Sequence, residues 1–126
     1  MSKIFFIDND IYVTRLYERA FRLAEHEIET MQDPVLALKR LEEMEPLPNL
    51  IIMDVHMPNM SGGDLFARIH THERTQHIPI MVMTNSIEKG EAQKFIELGA
   101  TIALMKMDHD PIDIVKKAEE IINRKT

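Results

Sequence analysis

An aspartate at the end of an apolar run is the residue of this sequence best placed to do chemistry. Residues 50–53 are four apolar residues in a row, Asp54 follows them directly, and a turn rich in Pro, Asn, Ser and Gly comes next. The run predicts a buried strand, and ligands of open α/β sheets bind at the carboxyl ends of the strands. Asp54 is therefore expected to be a functional residue rather than a surface acid.

Polar side chains that could act together with Asp54 stand at the ends of three other apolar runs. Asp8 and Asn9 follow the first run, Thr84 follows the fourth and Lys106 follows the fifth. Carboxylates gathered at one point repel one another unless a cation lies among them, and oxygen ligands in a chain without cysteine favour Mg²⁺ over zinc. A lysine and a hydroxyl suit a phosphoryl group, and a carboxylate is a competent nucleophile for phosphoryl transfer. The residues themselves thus predict a magnesium-dependent aspartyl-phosphate site.

Five predicted strands alternate with five predicted helices, and this pattern must position the site. The strands are expected at residues 4–7, 27–31, 50–53, 80–83 and 102–105, and apolar residues at helical spacing follow each one. Such alternation predicts a mostly parallel sheet covered by helices on both faces. The order 2-1-3-4-5 fits this length, so the expected fold is a doubly wound, flavodoxin-like (βα)5 fold with a five-stranded parallel sheet.

Helix boundaries are predicted from capping residues. Asp33 and Asp110 each precede a proline, which is typical of an N-cap followed by the first helical residue, and Ser61 begins a capping-box pattern. Gly99 is expected to end the fourth helix. For Asp10, a helix N-cap and a site residue remain equally good interpretations.

Composition excludes several classes of function. The 126 residues carry a net charge of -6, which argues against nucleic acid as a direct partner. No apolar run approaches the roughly 20 residues that a membrane span needs, and no signal peptide fits the N-terminus. Without cysteine the chain has no disulfides, and a cytoplasmic location is expected.

Four features together resemble the receiver domain of bacterial two-component response regulators, over essentially the whole chain. They are the acidic cluster after the first strand, the segment Met-Asp-Val-His-Met-Pro-Asn-Met-Ser-Gly at 53–62, Thr84, and Lys106. The resemblance implies that Asp54 accepts a phosphoryl group from a histidine kinase or phosphotransfer protein. It also implies that Mg²⁺ is bound by Asp8, Asn9, Asp54 and the backbone carbonyl of His56. The phosphoryl oxygens would be bound by Thr84 and Lys106.

The same resemblance implies a mode of action. Residues 1–126 would form one receiver domain without an effector domain, which signals through an unknown target protein or by phosphorelay, with no nucleic acid and no membrane as partner. It would be a phosphoacceptor rather than an enzyme, with self-catalysed phosphotransfer and dephosphorylation only. His56, Asn85 and Ser86 would line the phosphate path and modulate these reactions.

Four positions depart from the family pattern. Asn85 follows Thr84 where a small residue is usual, and its bulkier side chain is expected to slow attack by water or the phosphodonor. Asn9 replaces the second acid of the pair, which predicts weaker Mg²⁺ binding. Met107 replaces the proline after Lys106, so a cis bond there is not expected, because a non-proline cis bond costs roughly 2.5–4 kcal/mol. Ala103 replaces the aromatic residue on the fifth strand, so the usual coupling of threonine movement to ring rotation cannot operate.

Two alternatives to the phosphoacceptor remain at this point. A receiver fold that docks to a partner without phosphorylation is favoured by the departures at Asn9, Asn85, Ala103 and Met107. The triplet Asp8-Asn9-Asp10 imitates the acidic motif of haloacid-dehalogenase-type phosphatases, although that reading leaves the Asp54 segment unexplained.

Histidine and methionine residues are given structural interpretations. His70, His72 and His77 are predicted to lie in a solvated loop. The methionines on or next to the last two strands, at positions 81, 83, 105 and 107, are expected to be buried.

Overall fold

Residues 2–85 and 90–124 are described by a computed structural model. The five strands are β1 (Lys3–Ile7), β2 (Glu27–Met31), β3 (Leu50–Asp54), β4 (Ile80–Thr84) and β5 (Ile102–Met105). The helices are α1 (Ile11–Leu23), α2 (Pro34–Glu43), α3 (Gly62–Thr71), α4 (Glu91–Leu98) and α5 (Pro111–Asn123), and a 3-10 turn (Lys106–Asp108) follows β5. The predicted alternation of strands and helices is confirmed.

All strand pairs are parallel, and the sheet order is β2-β1-β3-β4-β5, as the sequence predicts. β1 and β3 are neighbours, with Ile7 opposite Met53. The strand order reverses at this pair, which is where open α/β sheets bind ligands. The residues that follow Ile7 and Met53, namely Asp8 and Asp54, therefore come out side by side at one edge of the sheet.

Two apolar cores cover the two faces of the sheet. Alternate strand residues point to opposite sides. On one side Phe5 and Met53 pack with residues of α2, α3 and α4. On the other side Phe6 and Ile52 pack with residues of α1 and α5. Strands covered on both faces are apolar almost throughout, which explains why their runs are easy to find in the sequence.

Helix starts follow the predicted capping residues. The side chains of Asp33, Asp110 and Ser61 accept backbone N–H groups two or three residues further on, at 2.7, 2.8 and 3.1 Å. Asp10 does the same for α1, with its carboxylate accepting the N–H of Tyr12 at 2.9 Å. Asp10 therefore serves as the N-cap of α1, and its role as a site residue stays a prediction. α4 ends at Leu98, next to Gly99, as predicted.

Several local predictions are wrong. β3 and β4 each run one residue further than predicted, because backbone pairing continues through Asp54 and Thr84 after the apolar run has ended. His70 lies in α3 with its ring stacked on Phe66, at a centroid distance of 5.2 Å, rather than in a solvated loop. Met107 is 76% exposed, because the 3-10 turn carries its side chain out of the core.

Within the residues that the structure describes, none of the helices has the length and apolar character needed to cross a membrane.

Candidate functional site

A cleft of about 380 Å³ opens at the carboxyl edge of the sheet. Its lining contains most of the predicted site residues: Asp8, Asn9, Asp54, His56, Asn85 and Lys106, together with Asp10, Val13 and Met107. Thr84 lies at the end of the neighbouring strand and contacts His56. Ser86 lies outside the described residues. The structure thus brings the residues that follow β1, β3, β4 and β5 to one place.

Asp8 is a buried carboxylate with two fixed partners. It directly follows β1 and is 1% exposed. One oxygen, Oδ1, accepts the backbone N–H of Asp10 at 2.9 Å, and the other, Oδ2, accepts Lys106 Nζ at 2.5 Å. Burial raises the pKa of Asp8, and the hydrogen bond from Lys106 lowers it less than burial raises it. The net pKa lies above the ordinary value of an aspartate, because burial makes the negative form less favourable than it is in water.

Asp54 and Asp8 share one positively charged partner, the ammonium group of Lys106. The Asp54 side chain is 3% exposed, and its Oδ1 accepts the backbone N–H of His56 at 3.0 Å. Its Oδ2 lies 3.3 Å from Lys106 Nζ. Lys106 is the first residue after β5, and its side chain bridges two buried carboxylates that the sheet forces together. Without this ammonium group the two carboxylates would repel each other.

The charges of the site suit a further cation. The carboxylates of Asp8, Asp10 and Asp54 line the cleft against the single lysine Lys106, and the exposed Asn9 adds an amide oxygen. Carboxylate and amide oxygens are ligands of hard divalent cations. Among residues 2–85 and 90–124, no group of three or more histidine, cysteine, aspartate and glutamate side chains could hold a metal ion. A divalent cation would therefore need amide or backbone carbonyl oxygens in addition to carboxylates, and such oxygen donors suit a hard divalent cation.

Thr84 is engaged by a residue that the sequence does not mark as functional. Its hydroxyl group donates a short hydrogen bond to Oε1 of Glu91, the first residue of α4. Nε2 of His56 lies 2.7 Å from the same Glu91 oxygen and 3.1 Å from Thr84 Oγ1. Glu91, His56 and Thr84 therefore form a polar cluster beside Asp54. A glutamate in the first turn of a helix is ordinarily explained by its favourable interaction with the helix dipole. The sequence alone therefore does not mark Glu91 as a functional residue.

The fold and this cluster of strand-end residues agree with one protein family. Residues 4–119 match the model of the response regulator receiver domain. The chain belongs to this family.

Curated relatives agree with the assignment, and solved structures share the fold. A transcriptional regulatory protein of Haemophilus influenzae, the CpxR homolog, is 28% identical over 124 residues, which cover 98% of this chain and 52% of that protein. The chain thus spans about half the length of this relative. The chemotaxis response regulator CheY4 of Vibrio cholerae has a TM-score of 0.84 at 23% identity, covering 96% of this chain and 98% of that one. A Mn²⁺-bound form of response regulator Rcp1, a protein of Synechocystis, has a TM-score of 0.82 at 23% identity, covering 95% and 93%.

The departures from the family pattern divide between the cleft, which Asn9, Asn85 and Met107 line, and the core, where Ala103 lies. Met107 lines the cleft, and the cis peptide bond among the described residues is Glu45–Pro46, so the bond before Met107 is trans, as predicted. Ala103 is partly buried against the core next to α4, opposite Val82 of β4. A methyl group therefore occupies this position of β5.

The phosphatase alternative loses its support in this geometry. It required the triplet Asp8-Asn9-Asp10 to act as an acidic motif. The carboxylate of Asp10 instead caps α1, and the family match is to receiver domains.

Proposed function

We propose that this receiver domain accepts a phosphoryl group on Asp54, from a phosphohistidine of a sensor kinase or phosphotransfer protein. The observation that carries the proposal is the position of Asp54, a buried carboxylate whose Oδ2 lies 3.3 Å from Lys106 Nζ at the floor of an open cleft. In the transfer an Asp54 oxygen forms a bond to phosphorus as the phosphorus–nitrogen bond of the donor breaks. The released imidazole keeps the electron pair and takes up a proton.

Lys106 and Thr84 suit the transferred phosphoryl group. Lys106 carries a positive charge to within reach of Asp54, and an ammonium group can neutralise phosphoryl oxygens as they approach. The hydroxyl of Thr84 can donate a hydrogen bond to one of them. Preorganised donors aimed at developing charge are the usual source of rate enhancement in such sites. Both residues therefore stabilise the transfer by position and charge rather than by covalent chemistry.

Four groups would hold a Mg²⁺ ion: the side chains of Asp8, Asn9 and Asp54, and the backbone carbonyl of His56. The Mn²⁺-bound state of the structural neighbour Rcp1 supports a divalent cation in this fold. When bound, the ion would neutralise charge on the phosphoryl oxygens. These three side chains and the carbonyl of His56 would fix the place of the ion beside Asp54.

Restoring the missing acid of the pair is expected to tighten cation binding. We predict that Asn9→Asp lowers the dissociation constant of Mg²⁺ about tenfold, or about 1.4 kcal/mol, because the added charge joins two carboxylates in the cleft. Isothermal calorimetry with MgCl₂ measures this directly. Asn85→Asp is the matched control, since Asn85 lines the same cleft. Equal affinities in Asn9→Asp and wild type would contradict the assignment of Asn9 as a ligand.

Exposed apolar side chains support a protein as the phosphodonor. Tyr12 near the start of α1 and Ile112 near the start of α5 are 81% and 67% exposed, and the exposed Met107 lines the cleft. A buried Asp54 can receive a phosphoryl group from a protein only if that protein closes over the cleft. Burial of these side chains would contribute to such a contact. The target that receives the signal is likewise expected to be a protein, reached by direct contact or by phosphorelay.

The test is chemical modification of Asp54. The protein is incubated with Mg²⁺ and acetyl phosphate, or with beryllofluoride, and analysed by mass spectrometry or amide spectra. Wild type and the control Asp64→Asn, at an exposed position on α3, are expected to respond, and Asp54→Asn is not. A modification lost in Asp8→Asn but kept in Asp54→Asn would instead support the phosphatase chemistry.

Docking without phosphorylation is the second candidate. Lys106 already bridges Asp8 and Asp54 in this structure, and Ala103 provides no aromatic ring to report a change at the site. No response of wild type to either acetyl phosphate or beryllofluoride would favour this candidate.

A further inference from the structure

We propose that Glu91 is a latch residue: its carboxylate holds the Thr84 hydroxyl group before phosphorylation, and phosphorylation of Asp54 releases it together with the start of α4. This inference rests on the proposed phosphorylation of Asp54. It adds a route from the site to the protein surface and a residue that controls how readily the site is phosphorylated.

The contacts of Glu91 tie three elements together. Its side chain is 18% exposed. One oxygen, Oε1, accepts a hydrogen bond from the Thr84 hydroxyl group and lies 2.7 Å from Nε2 of His56. Thr84 is the last residue of β4 and is 1% exposed. His56 follows β3, and its backbone N–H binds Asp54 at 3.0 Å. One glutamate oxygen thus connects the first residue of α4 to the ends of the two central strands.

Among residues 2–85 and 90–124, few buried side chains hold the start of α4. The helix has eight residues, all of them described, and Phe95 is the one that is buried. Its N-cap is Gly90, which supplies no side-chain hydrogen bond. Ile96 and Leu98 are 38% and 51% exposed. Segments with few buried apolar contacts open at low free energy, so the position of the N-terminal turn depends strongly on Glu91.

The Thr84 hydroxyl group can serve only one of two acceptors at a time. A hydroxyl group has one proton to donate, so donation to a phosphoryl oxygen requires that the bond to Glu91 be broken. An aspartyl phosphate also brings additional negative charge into the cleft, which repels the carboxylate of Glu91. Both effects act in the same direction. Phosphorylation therefore removes Glu91 from Thr84 and loosens the start of α4.

The contact between Glu91 and Thr84 couples the site to α4 without an aromatic ring on β5. Ala103 is too small to follow a movement of Thr84 by a change of ring position. Glu91 reaches Thr84 directly from α4, so the signal passes from β4 to α4 without a side chain of β5. The coupling is also reciprocal, because a contact that phosphorylation must break opposes phosphorylation to the same extent.

The experiment compares Glu91→Gln with Glu97→Gln. Glu91→Gln keeps the size of the side chain and removes its charge, which weakens a charge-assisted hydrogen bond and the repulsion of the phosphodonor. Glu97 lies on the same helix and is exposed, so Glu97→Gln changes net charge equally. We measure the initial rate of Asp54 modification by acetyl phosphate with Mg²⁺, and amide hydrogen exchange of residues 91–98 without any donor.

For Glu91→Gln we expect about tenfold faster modification of Asp54, equivalent to about 1.4 kcal/mol, and faster exchange in α4 before phosphorylation. Glu97→Gln is expected to match wild type in both measurements. Beryllofluoride is expected to raise α4 exchange in wild type and to leave it nearly unchanged in Glu91→Gln, because the latch is already open. Unchanged rates and unchanged exchange in Glu91→Gln would overturn the proposal.

A double-mutant cycle locates the effect at the contact itself. Thr84→Val removes the hydroxyl group and keeps the shape, so it should raise α4 exchange as Glu91→Gln does. The double variant should add little to either single variant, and additive effects would overturn the proposal. If wild type is modified at Asp54 but Glu91→Gln behaves like wild type, the latch alone fails. If wild type is not modified at all, the proposed phosphorylation fails and the latch falls with it.

Discussion

Replacing Lys106 with Met is expected to lower the free energy of unfolding by about 3 kcal/mol at neutral pH in the absence of a divalent cation. Lys106 Nζ lies 2.5 Å from Asp8 and 3.3 Å from Asp54, and these two side chains are 1% and 3% exposed. Methionine keeps much of the side-chain length and volume. The variant therefore loses the ammonium group and leaves two buried carboxylates to repel each other.

The loss of stability is expected to depend on pH. Burial already raises the pKa of Asp8 above its ordinary value, and Lys106 opposes that shift. A raised pKa means that the folded protein binds a proton more readily than the unfolded chain, so stability falls as pH rises through the raised value. In Lys106→Met the pKa of Asp8 rises further. The difference from wild type should thus be small near pH 4 and should grow toward neutral pH.

Urea unfolding at several pH values measures this difference. Lys39→Met is the matched control, because Lys39 is exposed on α2, away from the cleft. Saturating Mg²⁺ should restore part of the stability, since a ligand present at 100 times its dissociation constant stabilises the folded state by about 2.7 kcal/mol. If Lys106→Met and Lys39→Met were equally stable at pH 7 without Mg²⁺, the bridging role of Lys106 would be wrong.

The parts of the site that the sequence predicts are those fixed by strand ends. Asp8, Asp54 and Lys106 each follow a short apolar run, and the strand order brings such ends together whatever the details of the loops. The capping residues are predictable for a similar reason, because an N-cap acts on N–H groups two or three positions away. Local pattern and topology were sufficient for both.

Other features depend on how side chains are oriented in the folded structure, which local sequence patterns do not specify. Glu91 reaches Thr84 from the next helix, and nothing in the spacing of seven residues indicates that contact. Met107 follows an apolar strand, but a 3-10 turn rotates its side chain outward. His70 packs its ring on Phe66 one helical turn away, which a count of histidines cannot show. These are tertiary effects that override local pattern.

Replacing Gly62 with Ala is expected to destabilise the fold by about 3 kcal/mol, at the upper end of the usual range for overpacking. A Cβ atom at Gly62 would lie 2.5 Å from Val55 Cβ and 2.7 Å from Val55 Cα and O. Gly62 is the first residue of α3, and Val55 directly follows Asp54. The close approach therefore sets where the segment after Asp54 runs. The variant must move α3 or that segment, and modification of Asp54 by acetyl phosphate should slow accordingly.

Gly63→Ala provides the control, because a Cβ atom there meets nothing within 4 Å. It should be neutral or more stable by about 0.5 kcal/mol, since alanine is the better helix former. Urea unfolding of both variants gives the comparison, and equal stability of the two would contradict the close packing of α3 on Val55. Shortening Val55 to alanine should not rescue Gly62→Ala. The clash involves Cβ and two backbone atoms of Val55, which alanine retains, so the restraint beside Asp54 belongs to the path of the backbone rather than to the size of one side chain.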